Sequence, residues 1–542
     1  MLVHLKRIMK RAIKQILEEP CRNEPIEFSE ALLFSTEYSK LQRYNSGIHQ
    51  LTNSHIQNAT LPSKYKINKW IKSSGKNIWI AERVDTVDGK IKDTDVFVKT
   101  VHLINPISYL KGDYISISNP LLPCSNNKWK DTLMKINSQN NQAYVDNICS
   151  FVLSRFRELD FMPHFVLYYG SMTGICNNYK YTISDEYETY RNYRWFWRGI
   201  KDRNARLEMN PVNEDLVEFV LTCPFNEKEL EEDDDSESEL SSLPDLKVDE
   251  SAELESIASF KSNEIICNDQ SDRQEDSESS GSGETEEVDY DVFVHVPEMP
   301  VTLIYQEAHE GTMDELLDLE TLDGYKSGSK GWEGRWIAWI WQIISALAFL
   351  QRSIGFTHND LHSNNIVWRK TNIKYLYYRT SKGIFYKVPT YGKIFAIIDF
   401  GRAIFHVGNK HWLSDDFLPN EDAGGQYNYG PIYDKNYPKV TPNYSFDLCR
   451  LAISLIDGLF SDKLEKSKLY DLLFSWTLDD EGETVYESED EEEKYSGFKL
   501  YMKIASDCHN AIPREQIEKD IFKSFKIDKS DLEKDDKVYH IV

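Results

Sequence analysis

No two of the eight cysteines (Cys21, Cys124, Cys149, Cys176, Cys223, Cys267, Cys449 and Cys508) stand in a C-x-x-C pair. That speaks against a disulfide framework or a zinc site and for a reducing compartment. No apolar run reaches the roughly 20 residues of a membrane span. The longest, Trp336–Leu350, has fifteen residues and contains Gln342 and Ser345. The N-terminus, MLVHLKRIMKRAIKQIL, is basic but has no continuous apolar h-region, so it does not read as a signal peptide. It reads as a surface helix, or as an amphipathic helix touching a membrane or partner. No internal repeat is visible. The expectation is an intracellular protein, not secreted, with no transmembrane segment and an oligomeric state that the sequence leaves open.

Positive charge is in deficit, with 63 Lys and Arg against 89 Asp and Glu for a net −26, but the deficit is local. Residues 227–291 carry −21 and residues 479–494 carry −9, so the other 461 residues sum to +4. No basic stripe interleaved with aromatics stands out, so no nucleic-acid partner is expected. The near-neutral body is ample for a core, since 40% of the whole chain is hydrophobic and 13% aromatic, which excludes wholesale disorder.

The order of elements implies an α+β fold. Ile78–Ala81 and Val96–Lys99 read as strands joined through a turn at Asp88-Gly89. Residues 141–157 place Val145, Ile148, Cys149, Val152, Leu153 and Phe156 on one helical stripe. The stretch 227–291, rich in Ser and acids, cannot bury enough surface to offset ordering entropy and reads as a disordered insertion. Trp336–Leu350 is apolar all round and therefore a fully buried helix. Short strands follow at Ile366–Trp368, Tyr375–Tyr378, Ile384–Val388 and Ile394–Ile398, then a helix over 445–456.

Chemistry concentrates after the buried helix. His358-Asn359-Asp360-Leu361-His362-Ser363-Asn364-Asn365 precedes a strand, and Ile397-Ile398-Asp399-Phe400-Gly401 ends another. These resemble the H-R-D-L-x-x-x-N catalytic loop and the D-F-G metal loop of protein kinases. The resemblance implies a bilobed protein kinase-like fold. An N-terminal extension would cover 1–68, a strand-rich lobe 69–320 interrupted at 227–291, and a helical lobe 321–542 with an acidic loop at 479–494. It implies phosphoryl transfer from ATP, assisted by Mg²⁺, to a Ser/Thr hydroxyl of a protein. Asp360 would orient the acceptor hydroxyl, Asn365 and Asp399 would ligate Mg²⁺, and His358 would pack the loop against Phe400.

Val96-Phe97-Val98-Lys99 is similar to the V-A-I-K strand, so Lys99 would contact the phosphates. The helix over 141–157 would supply its partner, for which Asp146 is the best-placed acid, although Asp146 also reads as an exposed charge. Leu303–His309 is similar to the hinge, where the backbone of Glu307 and His309 would bind adenine. Ser445-Phe446-Asp447-Leu448 is similar to the helix start whose Asp braces the catalytic loop, a role that falls to Asp447.

The chain departs from the kinase pattern in three places. Lys72-Ser73-Ser74-Gly75-Lys76-Asn77 offers the single Gly75 where kinases have a glycine-rich loop, so fewer amides can approach phosphate without Cβ interference. No A-P-E triplet follows the metal loop. His362 stands where many kinases carry Lys, and Asp-Leu-His is similar to haspin-like kinases and to aminoglycoside phosphotransferases. From Tyr375 to Asp447 the motif spacing resembles the serine/threonine kinase-like proteins of nucleocytoplasmic large DNA viruses. Two other functions remain open on the sequence. One is a pseudokinase or scaffold binding partners through the fold and its acidic insertion, and the other is a small-molecule phosphotransferase.

Overall fold

A computed structural model describes residues 37–42, 61, 63–75, 77–115, 127–184, 186–211, 221–226, 230, 290–419, 421–460, 467–486, 494–495 and 498–541. Most of the N-terminal extension and of the acidic insertion, and part of the acidic loop 479–494, lie outside them. The fold is mixed α+β. Its largest sheet has six strands in the spatial order Tyr38–Gln42, Tyr168–Cys176, Met299–Glu307, Ile91–His102, Ile78–Asp85 and Tyr65–Gly75. The strand Met299–Glu307 is buried along nearly its whole length, as a central strand covered on both faces must be.

Two compact units divide the chain. The larger comprises 1–103, 133–175 and 300–542, and the smaller 104–132 and 176–299. Within the smaller unit, Tyr179–Thr182, Asp291–Val296 and Arg206–Asn210 form a three-stranded sheet with Asp291–Val296 central. Tyr187, Tyr190, Trp195, Phe196 and Trp197 are part of its core, with Tyr190 and Phe196 stacked at 5.9 Å. Gly199 faces Leu110 so closely that a Cβ would stand 2.4 Å from the Leu110 carbonyl oxygen.

The larger unit holds the main core, organised around the helix Lys330–Ile354. Ser329 caps its start by accepting from the Trp332 N–H, and Gly355, at φ 62°, ends it in the left-handed conformation that glycine adopts without strain. Trp336, Trp339, Trp341, Ile343, Ile344 and Leu347 are wholly buried. This helix is long and apolar enough to cross a membrane, but most of it is buried inside the fold. Apolar residues all round are what a helix packed on every side requires.

The helix Gln142–Glu158 is likewise buried over most of its length and starts at an Asn141 cap. Beyond the long helix, Ile366–Lys370 and Lys393–Ile397 pair antiparallel, with Ile366 opposite Ile397. The hairpin Tyr375–Arg379 with Phe385–Pro389 is extended by strands from the chain's end, Lys526–Ile527 and Val538–His540. Helices Phe446–Phe460, Lys468–Trp476 and Phe498–Asp507 complete this part.

Candidate functional site

The site is built from three stretches far apart in sequence. Lys99 lies on the strand Ile91–His102, opposite Ile304 in the sheet register. Asp146 lies in the second turn of the helix Gln142–Glu158. Asp399 follows the strand Lys393–Ile397. Lys99 Nζ sits 2.6 Å from Asp146 Oδ2 and 2.9 Å from Asp399 Oδ1. Lys99 and Asp146 are buried, whereas a quarter of the Asp399 side chain is exposed. Burial works against the Lys99 charge, but the two carboxylates outweigh it and hold the ammonium well above its ordinary pKa. Burial pushes the Asp146 carboxyl up, and the Lys99 charge opposes that.

Asp146 also accepts hydrogen bonds at Oδ1 from the Phe400 N–H (3.1 Å) and the Ser150 hydroxyl (3.3 Å). One aspartate thus ties the strand lysine to the Asp399 loop. Asp399 has φ 64°, an uncommon conformation for a non-glycine residue. The 25% exposure of its side chain leaves carboxylate surface open beside the lysine.

The second half of the site is the loop 358–365. Asp447, at the start of the helix Phe446–Phe460, is wholly buried and accepts from the N–H groups of His358 (3.0 and 3.1 Å) and Asn359 (2.9 Å). His358 Nε2 donates to the Ile398 carbonyl at 2.8 Å, and its ring lies 5.6 Å from that of Phe400. Asn359, at φ 68°, donates through Nδ2 to the Arg402 carbonyl and accepts from the Tyr427 hydroxyl. These bonds fix the loop between the helix and the residues after Asp399. The Ile398 N–H, donating to the Asn365 carbonyl at 3.0 Å, brings Asn365 beside the metal-loop motif.

Within the loop, Asn365 Nδ2 donates to the Asp360 carbonyl (2.9 Å) and to His362 Nε2 (3.1 Å). With its amide hydrogens so used, its Oδ1 has no partner among the described residues. His362 is buried, and burial lowers its pKa to about 4, so it is neutral near pH 7 and accepts at Nε2. Asp360 Oδ1 accepts from the Tyr501 hydroxyl at 2.7 Å, and Arg402 Nη1 stands 3.7 Å from its Oδ2. Burial would raise the Asp360 pKa, but the Arg402 guanidinium and the Tyr501 hydroxyl outweigh it and keep it below the usual carboxylate value.

The expected hinge residues occupy the end of Met299–Glu307 and the turn after it, with Glu307 opposite Val96 three residues from Lys99. The Glu307 N–H is engaged by the Leu167 carbonyl (2.9 Å) and its carboxylate pairs with Arg157. Burial opposes the Glu307 charge, yet Arg157 keeps its pKa low. His309 lies against Phe97, ring centroids 5.9 Å apart, and its backbone N–H meets no backbone acceptor among the described residues. Gly75 is the last residue of the strand Tyr65–Gly75, paired with Ile78 across the hairpin, with nothing within 4 Å of a Cβ built on it. The positive φ in that turn falls on Asn77.

Sequence reasoning did not find Arg402, Tyr501 or Arg157. It also missed Lys135, which pairs with Asp415 (3.2 Å) and Glu421 (2.8 Å). Asp415 Oδ1 in turn accepts from the Gln142 N–H, so the segment after Asp399-Phe400-Gly401 is fastened to the start of the helix carrying Asp146. The Asp399-Phe400-Gly401-Arg402 run was legible, but nothing local pairs Arg402 with Asp360.

No family model matches the chain. A stretch of 59 residues, 11% of this chain, is 42% identical to the serine/threonine-protein kinase haspin of Mus musculus, of which it covers 8%. The likeness to a protein kinase is therefore local, and most of both chains lies outside it.

Proposed function

We propose that this chain has a protein kinase-like fold and transfers the γ-phosphoryl group of Mg·ATP to a Ser/Thr hydroxyl of a protein. The observation that carries the reading is the meeting of Lys99, Asp146 and Asp399, joined through backbone bonds to the loop that bears Asp360 and Asn365. Burying an ammonium between two carboxylates carries a desolvation cost, and phosphate binding is a role that needs that charge. The local haspin likeness adds weight to the kinase class. The resemblance to viral kinase-like proteins rests on motif spacing alone, and an intracellular setting rests on the cysteine pattern.

The residues present fit a hard cation. Asp399 offers open carboxylate surface and Asn365 an unpartnered carbonyl oxygen, and Mg²⁺ takes one or two such ligands with phosphates and water completing its shell. Among the described residues no cluster of three or more His, Cys, Asp or Glu is gathered around one point, so a cation here would depend on those phosphates. When bound, Mg²⁺ neutralises charge on the transferring group. Lys99 would bind and orient the phosphates. Asp360, ionised and half-buried, would hold the acceptor hydroxyl and take its proton as the new O–P bond forms and the bond from the γ-phosphorus to the departing ADP breaks. The His309 N–H and the Glu307 backbone would seat the base.

A pseudokinase is the second reading, favoured by the Tyr65–Asp85 hairpin, whose tip carries the lone Gly75 as a strand residue. Incubation of the purified chain with γ-labelled ATP, Mg²⁺ and a generic basic protein separates the two. Label stable on serine or threonine supports the kinase. ATP binding without transfer supports the pseudokinase, and label passing only to a small aminoglycoside acceptor would replace protein by small-molecule transfer.

A further inference from the structure

The Asp360 carboxylate is already partly engaged, and by a residue that no kinase motif contains. Tyr501 comes from the helix Phe498–Asp507, 141 residues downstream, and its hydroxyl lies 2.7 Å from Asp360 Oδ1. The direction of that bond is fixed by a third group. Arg450 Nε donates to the same hydroxyl at 3.1 Å, and a guanidinium has no lone pair to accept with. The Tyr501 oxygen therefore accepts from Arg450, and its single proton is left for Asp360.

The Tyr501 ring is equally fixed. It is buried, stacks on Phe498 at 5.4 Å and 13°, and lies 5.8 Å from Phe446. The guanidiniums of Arg450 and Arg402 stand 5.4 and 5.9 Å from its centroid. Its helix contributes Phe498, Ile504 and Ala505 to the same apolar cluster as Phe446 and Leu413. A ring so held is part of the core rather than a lid. His362 Nε2 is committed to Asn365, so it does not compete for the Asp360 carboxylate through that atom.

We propose that Tyr501 is a positioning residue for phosphoryl transfer. Its hydroxyl, oriented by Arg450, pins Asp360 through Oδ1 and leaves Oδ2, which Arg402 Nη1 faces from 3.7 Å, as the oxygen that receives the acceptor hydroxyl. This rests on the kinase reading above. Without the phenol proton, Asp360 would share its conformers between Oδ1 and Oδ2, and the fraction aligned for the acceptor would fall. Binding of nucleotide and acceptor does not pass through this bond, so the loss belongs in kcat.

The test is Tyr501→Phe, which removes one oxygen and keeps the ring. Losing a hydrogen bond to a charged group that acts only in the aligned state should lower kcat by roughly ten-fold or more, with KM for ATP and for acceptor essentially unchanged. In single-turnover reactions the same replacement made on Asp360→Asn should have little further effect, because the two act as one unit. A 3-fluorotyrosine placed at position 501 of the otherwise unaltered chain gives a second readout, and its fluorine resonance should move when Asp360 is replaced by Asn.

An unchanged or raised kcat in folded Tyr501→Phe overturns the proposal, the raised value marking Tyr501 as an obstruction. Equal, additive losses in the two backgrounds overturn it as well, as does a fluorine resonance indifferent to Asp360→Asn. A wild type that transfers no phosphate defeats the kinase reading, and the fluorine shift then decides whether the hydroxyl holds Asp360 at all.

Discussion

Lys99 and Asp146, 47 residues apart in sequence, meet at 2.6 Å with both side chains buried. Aspartate is one methylene shorter than glutamate, and the helix Gln142–Glu158 lies close enough for the shorter acid to reach. The same carboxylate receives the Phe400 N–H. Asp146→Ala should therefore act on two things together. It strands most of the charge of a buried lysine and frees a buried N–H, so stability should fall by about 3 kcal/mol, tempered by the remaining Asp399 contact. Urea denaturation reads that loss. Asp146→Asn should cost less, because it keeps an acceptor for Phe400.

Asp447→Ala should loosen the loop 358–365 without removing any proposed ligand. It removes the acceptor of two buried N–H groups, His358 and Asn359. Each group left unsatisfied costs about 1–3 kcal/mol. Hydrogen exchange at those two amides should rise well above that of the neighbouring helix, and phosphate transfer should fall with it. Unchanged protection at His358 would show that another group holds the loop.

The buried His164 gives a pH dependence with a definite sign. Its Nδ1 meets the Phe395 carbonyl at 2.9 Å and its Nε2 the Tyr378 hydroxyl at 2.6 Å. Burial lowers its pKa to about 3. An unfolded histidine takes its proton near pH 6.5, so below that value the unfolded chain binds more protons and stability falls. The loss from this one group is about 1.4 kcal/mol per pH unit between about 6.5 and 3. Asp415 and Asp422, raised by burial to about 7, work in the opposite direction, because folded chains keep protons that unfolded ones release. The measurement is therefore a difference. Between pH 6 and pH 4 the stability of His164→Asn should decline less steeply than that of wild type by about 1.4 kcal/mol per unit. Parallel curves would contradict the assignment.

What could be read in the sequence followed from periodicity and local motifs. The stretch Trp336–Leu350, within the helix Lys330–Ile354, is apolar on every face and could only be buried, and the stripe from Val145 to Phe156 marked its helix within a residue or two. The strand Tyr65–Gly75 escaped notice for a physical reason. Its register with Ile78–Asp85 shifts at three places, which breaks the alternation of inward and outward residues, and its last five residues are exposed. Tyr38–Gln42 was hidden in the same way, as a short edge strand inside a segment that reads as polar extension. The loop 358–365 and Asp399-Phe400-Gly401 carried their own pattern. Arg402, Tyr501 and Arg450 surround Asp360 only through tertiary packing, and a single residue brought in from 141 positions away leaves no local trace.

The most direct measurement of the central claim pairs Mg·ATP affinity with phosphate transfer in wild type, Asp360→Asn and Asp399→Ala. Asp360→Asn keeps shape and removes the carboxylate, so transfer should fall by about 10²–10⁴-fold while Mg·ATP affinity is retained. Asp399→Ala removes the proposed cation ligand together with a partner of Lys99, so Mg²⁺-dependent affinity and transfer should fall together. Wild type that transfers phosphate, with the two variants separating in this way, is the result the account predicts. Wild type that binds Mg·ATP but transfers nothing, or transfer that survives Asp360→Asn undiminished, would contradict it.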